Sequence, residues 1–217
     1  MRPYLVGRDQ EIDTVAKILA RSTKQNVLLL GEAGVGKSTI IQALALRSLN
    51  GLTISAIRYK RFLQLDLTSL LSSADQGEVE QRTKDLLTEA ERAGNIVLVI
   101  PDIAYLVGAG EGVVKNDLSG LFLQALEGNR IQVIALTDHQ GFTKYLQPRH
   151  SFVQNFETIE VVPATSEESI RVLEKIAPEI ESRQKLTLTY EAIKAAVDLS
   201  SRYLPSKDLP GKAIDLL

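Results

Sequence analysis

The chain has 217 residues, 44% hydrophobic and 24% charged, a balance typical of globular proteins that excludes an extended disordered chain. Twenty-five Lys and Arg against 27 Asp and Glu leave a formal charge of −2, so no basic excess marks nucleic acid or an anionic membrane as a main partner. Cysteine is absent, which excludes disulfides, thiol catalysis and Cys-ligated metal and is compatible with a reducing compartment. No apolar run reaches the length of about 18 residues that a membrane span needs, and the N-terminus MRPYLVGRDQEID lacks the apolar core of a signal peptide. The two histidines, His139 and His150, fall in a loop-like stretch that argues against a metal centre. At roughly 150 residues per domain, the length predicts one full domain plus a smaller piece.

In chain order, the first helix follows Asp9, with Ile12, Val15, Ile18 and Leu19 on one face. Val27–Leu30 reads as the first buried strand. Further strands are predicted at Phe62–Leu67, Ile96–Ile100, Ile131–Leu136 and Thr158–Val162, each a nearly continuous apolar run of the kind buried on both faces. Helical patterns over 37–48, 77–93 and 116–127 separate them, which predicts a parallel sheet covered by helices. After Val162 the character changes. Pro163 closes the last strand, and Thr165-Ser166-Glu167-Glu168 is a capping box ahead of Ile170, Leu173 and Ile176. Thr189 caps a second helix with Ile193, Ala196 and Val197. Pro205 and Pro210 bracket a turn before the terminal KAIDLL. Residues 1–162 thus read as an α/β domain and 163–217 as a small helical piece.

One segment carries chemistry outright. Gly31-Glu32-Ala33-Gly34-Val35-Gly36-Lys37-Ser38 fits the pattern GxxxxGKS/T in full, between an apolar strand and the helix that continues through Thr39. Its glycines let backbone N–H groups wrap phosphate oxygens. Lys37 is placed to reach the β and γ phosphates, Ser38 to coordinate Mg²⁺, and the helix N-terminus adds a favourable field for anions. The cofactors expected are ATP or ADP with Mg²⁺.

With LVGRDQEID, RSTKQN, LLGEAGVGKS, NGLTISAIRYKRFLQLDL, GEVEQRTKDLL, YLVGAG and YLPSKDLPGKAIDLL, the chain resembles the first nucleotide-binding domain of the Clp-type AAA+ unfoldases and disaggregases, from about Tyr4 to Leu217. The resemblance implies an α/β AAA+ P-loop fold: a five-stranded parallel sheet in the order 5-1-4-3-2 flanked by helices, a small helical lid, ATP between them, and oligomeric rings of Clp-like subunits with a protein substrate or peptidase partner. It implies neither nucleic acid nor membrane, and a cytoplasmic or organelle-matrix location. It places Leu5 and Val6 against adenine, with Ile170 and Leu173 on the other side of the base. Lys212 falls at the lid's sensor position and Thr137 at the polar sensor that ends the fourth strand. The family's helix continues beyond the point where KAIDLL stops, which predicts a fragment of a longer chain with a truncated lid.

The resemblance breaks at three places. The family carries Asp-Glu at the end of the third strand, the Asp supporting the Mg²⁺ shell and the Glu orienting the attacking water. Here Pro101 replaces the Asp and Asp102 the Glu. Asp102 alone remains as a weak base or metal-side acid, one methylene short, and a misplacement of about 1 Å costs about 10²-fold in rate. Where the family places its arginine fingers stand Gln154 and Asn155; such a finger is worth about 10³–10⁵ in rate. Arg149, upstream, substitutes only if its loop repacks. In the pore loop, Asp75 of Ala74-Asp75-Gln76-Gly77 stands where the family has a gripping aromatic. Three readings follow: a degenerate module that binds ATP or ADP with little or no hydrolysis; a working ATPase motor with Asp102 as base; and a scaffold that keeps the loop only for stability. The retained Lys37-Ser38 pair speaks against the third and the coordinated losses against the second.

Overall fold

The computed structural model describes residues 8–72, 75–108, 117–205 and 207–217. Helix α1 (Asp9–Leu19) buries Ile12, Val15, Ile18 and Leu19, the face that the sequence predicts. Strand β1 (Asn26–Leu30) leads to α2 (Lys37–Leu49). Then come β2 (Arg61–Gln64), the single-turn α3 (Leu67–Leu70), α4 (Gln76–Ala93) and β3 (Ile96–Ile100). After α5 (Ser119–Glu127), β4 (Gln132–Thr137) runs into the short α6 (His139–Gly141) and a π turn at Phe142–Leu146. Helix α7 (His150–Val153) precedes β5 (Phe156–Glu160). The described chain ends in α8 (Ser166–Gln184), α9 (Tyr190–Tyr203) and α10 (Gly211–Leu216).

The sheet has the order β2-β3-β4-β1-β5, the predicted order read from the other edge. The pairs β1–β4, β2–β3 and β3–β4 are parallel, with Leu28 opposite Ala135 and Leu98 opposite Val133 and Leu63. Burial on both faces holds for β1, β3 and β4. It fails at the two edges, where Arg61, Leu63 and Gln64 of β2 and Thr158 and Glu160 of β5 are exposed, because an edge strand has a neighbour on one side only and keeps polar or charged side chains outward.

Three boundaries differ from the sequence pattern, two of them for local reasons. Strand β2 stops at Gln64 because Asp66 turns the chain: its carboxylate accepts from the Ser69 N–H at 3.1 Å and the Ser69 hydroxyl at 2.6 Å and so starts α3. These two bonds hold the Asp66 carboxyl below the usual range. Helix α5 begins at Ser119, where Asp117 accepts the Ser119 N–H at 3.0 Å. Strand β5 lies two residues earlier than the apolar run suggests.

The chain separates into two compact units. One comprises Thr14–Leu30 and Leu44–Ile159; its core is built on Leu98, Ile100, Phe122, Val133 and Ala135. The other takes the described residues up to Asp13 with Gly31–Ala43 and Glu160–Leu217; its helical core is Leu173, Ala177, Ile193, Val197, Leu209 and Ala213. Helix α8 carries the predicted capping box: the Thr165 N–H donates to Glu168 at 2.9 Å and the Glu168 N–H to Thr165 Oγ1 at 3.2 Å. Thr165→Ala is expected to cost about 1 kcal/mol, a fall of about 2–4 °C in the melting midpoint by calorimetry.

The backbone bond from Thr165 also holds the Glu168 carboxyl below its ordinary value. A carboxyl depressed on folding stabilises above its unfolded pKa of about 4.3 and loses that contribution as pH falls through the lower folded value. Glu168→Gln is therefore expected to flatten the acid limb of the melting curve below about pH 4 and leave its shape at neutral pH unchanged.

Candidate functional site

Parallel sheets present ligand-binding loops at their carboxyl edge. Leu30 of β1 stands in register with Thr137 of β4, and Ile100 of β3 with Ala135. The segment after Leu30, Thr137 and the Pro101-Asp102 pair therefore all issue from one edge of the sheet.

Within the loop, Gly34 and Gly36 have φ of 91° and 99°, a backbone that side-chain-bearing residues rarely adopt. At Gly34 space is short as well: a Cβ would come within 2.7 Å of the Asp208 carbonyl oxygen. At Gly36 a Cβ would meet nothing within 4 Å, so conformation alone demands glycine there.

The loop's carbonyls are all occupied. Lys37 Nζ donates to the oxygens of Gly31 and, at 3.0 Å, Glu32. The Asp208 N–H donates to Ala33 at 2.9 Å and the Gly211 N–H to Gly34 at 3.1 Å. Arg8 Nη2 donates to Val35 at 3.0 Å, and the Ile40 N–H takes Gly36 at 3.1 Å. Every backbone carbonyl from Gly31 to Gly36 thus has a donor. Helix α2 starts at Lys37 with no acidic residue in its first turn, so its positive end is not neutralised. A loop with satisfied acceptors, positive-φ glycines, a lysine and an uncompensated helix N-terminus fits a phosphate chain.

The remaining loop residues divide by burial. Val35 is buried, Glu32 and Thr39 are half-buried, and Ala33 and Ser38 are exposed. Arg8 also donates to the Val162 oxygen at 2.6 Å and pairs with Glu11 at 2.8 Å, so one guanidinium ties the loop to the chain after β5. Lys212 follows Gly211 on α10, half-buried, with its ammonium 3.4 Å from the Leu204 oxygen. Leu173 is fully buried in the helical core, whereas Ile170 is half-buried at its border. Leu5 and Val6 lie outside the described residues. Arg8, Asp208 and Gly211 are supports that the motif reading misses. Their signal lay in Arg8 of the segment LVGRD and in Gly211 of SKDLPGK, a glycine being a place for close backbone approach.

In the sheet-bearing unit, Pro101 directly follows β3, at a strand end as its missing N–H requires. Asp102 caps the 3₁₀ turn Ile103–Leu106, its Oδ1 accepting the Ala104 N–H at 3.0 Å. Both residues line an open cleft of about 800 Å³ with Gln64, Asp66 and Tyr105. Thr137 is 3% exposed, and its hydroxyl has no hydrogen-bond partner among the described residues. Leaving such a group buried costs about 1–3 kcal/mol.

Asp75 caps α4, accepting the Gly77 N–H at 3.0 Å, a helix-starting role for which an aromatic has no acceptor. Asn155 turns its amide to the Ser151 oxygen at 2.8 Å, and Gln154 is exposed. Arg149 donates to the Tyr145 oxygen at 2.7 Å and pairs with Asp117 at 2.9 Å. Burial opposes ionisation of Asp117, but bonds from Ser119 and Arg149 outweigh it and hold the carboxyl below its usual range. Among the described residues no group of three or more His, Cys, Asp or Glu could hold a metal ion, and no helix is long and apolar enough to cross a membrane.

The nucleotide-type loop, the sheet order and the following helical unit define a P-loop ATPase domain with a lid. Residues 4–177 match the AAA ATPase domain and residues 165–217 the AAA lid domain; the chain belongs to the AAA ATPase family, and its relatives are of the Clp type. It is 35% identical over 214 residues to the chaperone protein ClpB of Helicobacter hepaticus, covering 98% of this chain and 25% of that protein. It is equally 35% identical to the negative regulator of genetic competence ClpC/MecB of Bacillus subtilis, covering 98% and 26%. The chain thus spans about a quarter of the length of these curated relatives. Among solved structures, it is similar to the Saccharomyces cerevisiae Hsp104–ADP complex, with a TM-score of 0.84 and 28% identity over 98% of this chain and 30% of that one. The Hsp104:casein complex in its extended conformation gives 0.86 and 30% over 97% and 36%.

Proposed function

We propose that the chain is the nucleotide-holding module of a Clp-like chaperone or protease-associated ATPase, binding ATP and ADP while hydrolysing slowly or not at all. Residues 1–162 form the nucleotide-binding part and 163–217 the lid. Residues 33–36, Lys37, Ser38 and Thr39 would hold the phosphates, with Lys212 beside them and Ile170 against the base. A bound Mg²⁺ supplies neutralisation of phosphate charge. Rings of Clp-like subunits and a protein substrate or peptidase partner belong to the same reading, supported by the likeness to ClpB and to Hsp104 in its casein complex.

One observation carries the proposal of weak hydrolysis. The only carboxylate in the Pro101-Asp102 pair is engaged as a cap on the Ala104 N–H, and Pro101 has no side-chain acceptor. A water-orienting base needs an oxygen at the right reach; this side chain is one methylene short and has Oδ1 committed to the cap. The opening of Asp102 onto the 800 Å³ cleft favours the second reading, a working motor with Asp102 as base. Calorimetry with Mg²⁺ is expected to give micromolar binding of both nucleotides, with phosphate release from the same sample at or below about 10⁻³ s⁻¹, the range of an unassisted P-loop NTPase. Turnover of several per minute by the ring-forming sample overturns the reading.

The orphaned Thr137 hydroxyl supports a sensing role at the end of β4. Thr137→Val is expected to raise the melting midpoint of the free chain by about 2–4 °C, because it replaces an unsatisfied hydroxyl with a methyl. The same variant is expected to reduce the preference for ATP over ADP in calorimetry.

A further inference from the structure

A second face of the molecule, on the connection between α2 and β2, has the composition of a docking surface. From Ala33 to Leu65 the chain carries Lys37, Arg47, Arg58, Lys60 and Arg61 and no acidic residue, although the chain as a whole is slightly acidic. Four large apolar side chains stand out of the same stretch: Leu49 is 69% exposed, Leu52 73%, Ile54 39% and Tyr59 68%.

The backbone that carries them is tied into one compact knot. The buried Ser48 hydroxyl donates to the Ile57 oxygen at 2.6 Å and the Lys60 oxygen at 3.2 Å. The N–H groups of Gly51 and Tyr59 both donate to the Ser48 oxygen at 3.0 Å, and the Leu52 N–H to the Arg47 oxygen at 2.8 Å. Arg58 Nε closes onto the Thr53 oxygen at 3.1 Å. The Tyr59 ring lies against Gly51, where a Cβ would come within 2.9 Å of the hydroxyl.

Tyr59 has φ of 60°. A bulky residue in the left-handed region is strained, and glycine at that position would relieve it. The fold therefore holds an aromatic in an unfavourable conformation and presents it to solvent, and such outliers concentrate where a surface meets a ligand. The Lys60 ammonium is drawn to Gln132 Oε1 and desolvated, so the outward charge of the face comes from Arg58 and Arg61, which are exposed on either side of Tyr59.

We infer that the Leu49–Arg61 face docks an acidic amphipathic helix of a partner protein, its leucines against Leu49, Leu52, Ile54 and Tyr59 and its carboxylates toward Arg58 and Arg61. Aromatic and arginine side chains together form the energetic centre of many interfaces, and an apolar helix face framed by charge matches this one in both respects. Basic residues around an aromatic also suit single-stranded nucleic acid, but three exposed aliphatic side chains in the same knot favour a protein.

The test uses a fluorescent helical peptide of about 18 residues with leucines on one face and glutamates on the other, its lysine counterpart, and a poly-dT oligonucleotide of similar size. Anisotropy is expected to show the glutamate peptide binding at least about tenfold more tightly than the lysine peptide, an advantage that shrinks with salt. Tyr59→Gly and Leu52→Ser are each expected to weaken it at least about tenfold. Tyr59→Gly separates docking from structure: it is expected not to lower the melting midpoint, whereas a merely structural Tyr59 would lower it. Equal affinity for both peptides, insensitivity to the two substitutions, preferential binding of poly-dT, or self-association of the chain abolished by Leu52→Ser each overturns the inference.

Discussion

Lys37→Ala is expected to weaken ATP and ADP binding by roughly a hundredfold, about 3 kcal/mol, read by calorimetry at fixed Mg²⁺. The lysine does two things at once. Its ammonium supplies the positive charge that a phosphate chain requires, and at rest it satisfies the Gly31 and Glu32 carbonyls. Removing it leaves two acceptor oxygens without that donor beside the place where negative charge is to bind. Lys37→Met keeps the length of the stem and loses the same two hydrogen bonds, so its effect is expected to match that of alanine. Arginine would keep the charge in a planar fork that does not superimpose on an ammonium, and Lys37→Arg is expected to recover only part of the affinity. The melting midpoint of the unliganded chain separates these effects from unfolding.

Gly34→Val is the second large effect. It combines a positive φ of 91° with a Cβ placed 2.7 Å from the Asp208 carbonyl oxygen. The strain alone costs about 1–3 kcal/mol, and the clash is with backbone, which cannot rotate away. A loss of about 3 kcal/mol of stability is expected in denaturant unfolding, together with loss of nucleotide affinity beyond detection. Gly211→Ala acts on the other side of the same contact, since its Cβ would lie 2.6 Å from the Gly34 Cα, and it is expected to weaken nucleotide binding with a smaller cost in stability. If Gly34→Val unfolds the chain, Gly211→Ala still reports on the loop.

The sheet was readable because β1, β3 and β4 are short, nearly continuous apolar runs, and such runs have few alternatives to the middle of a parallel sheet. The edges were less readable. The apolar run after Phe62 continues through Leu67, but Asp66 spends its carboxylate on Ser69 and ends the strand, a local bond that hydrophobicity does not encode. The phosphate loop was legible residue by residue, since conformation, charge and position are all written in its motif. Its supports were not, because Arg8 and Gly211 act from 23 residues before Gly31 and 175 residues after Gly36 through main-chain oxygens that carry no side-chain signature. Asp75 illustrates the opposite limit: its type suggested a lost grip, and its bond to the Gly77 N–H gives it a role in starting α4.

The occupied carbonyls of Gly31 to Gly36 give the loop a polarity before any ligand arrives. A main chain is ordinarily balanced, one donor for one acceptor at each residue. Here the oxygens are withdrawn into internal bonds, two of them to the amides of Asp208 and Gly211, so the surplus left for a visitor is made of donors. The segment behaves as a one-sided solvent: it substitutes for water around a negative group and has no such substitute for a positive one. Discrimination between anion and cation is then largely a property of the backbone's wiring, established from Ala33 to Gly36 by groups other than the lysine and at Gly31 and Glu32 by the lysine itself.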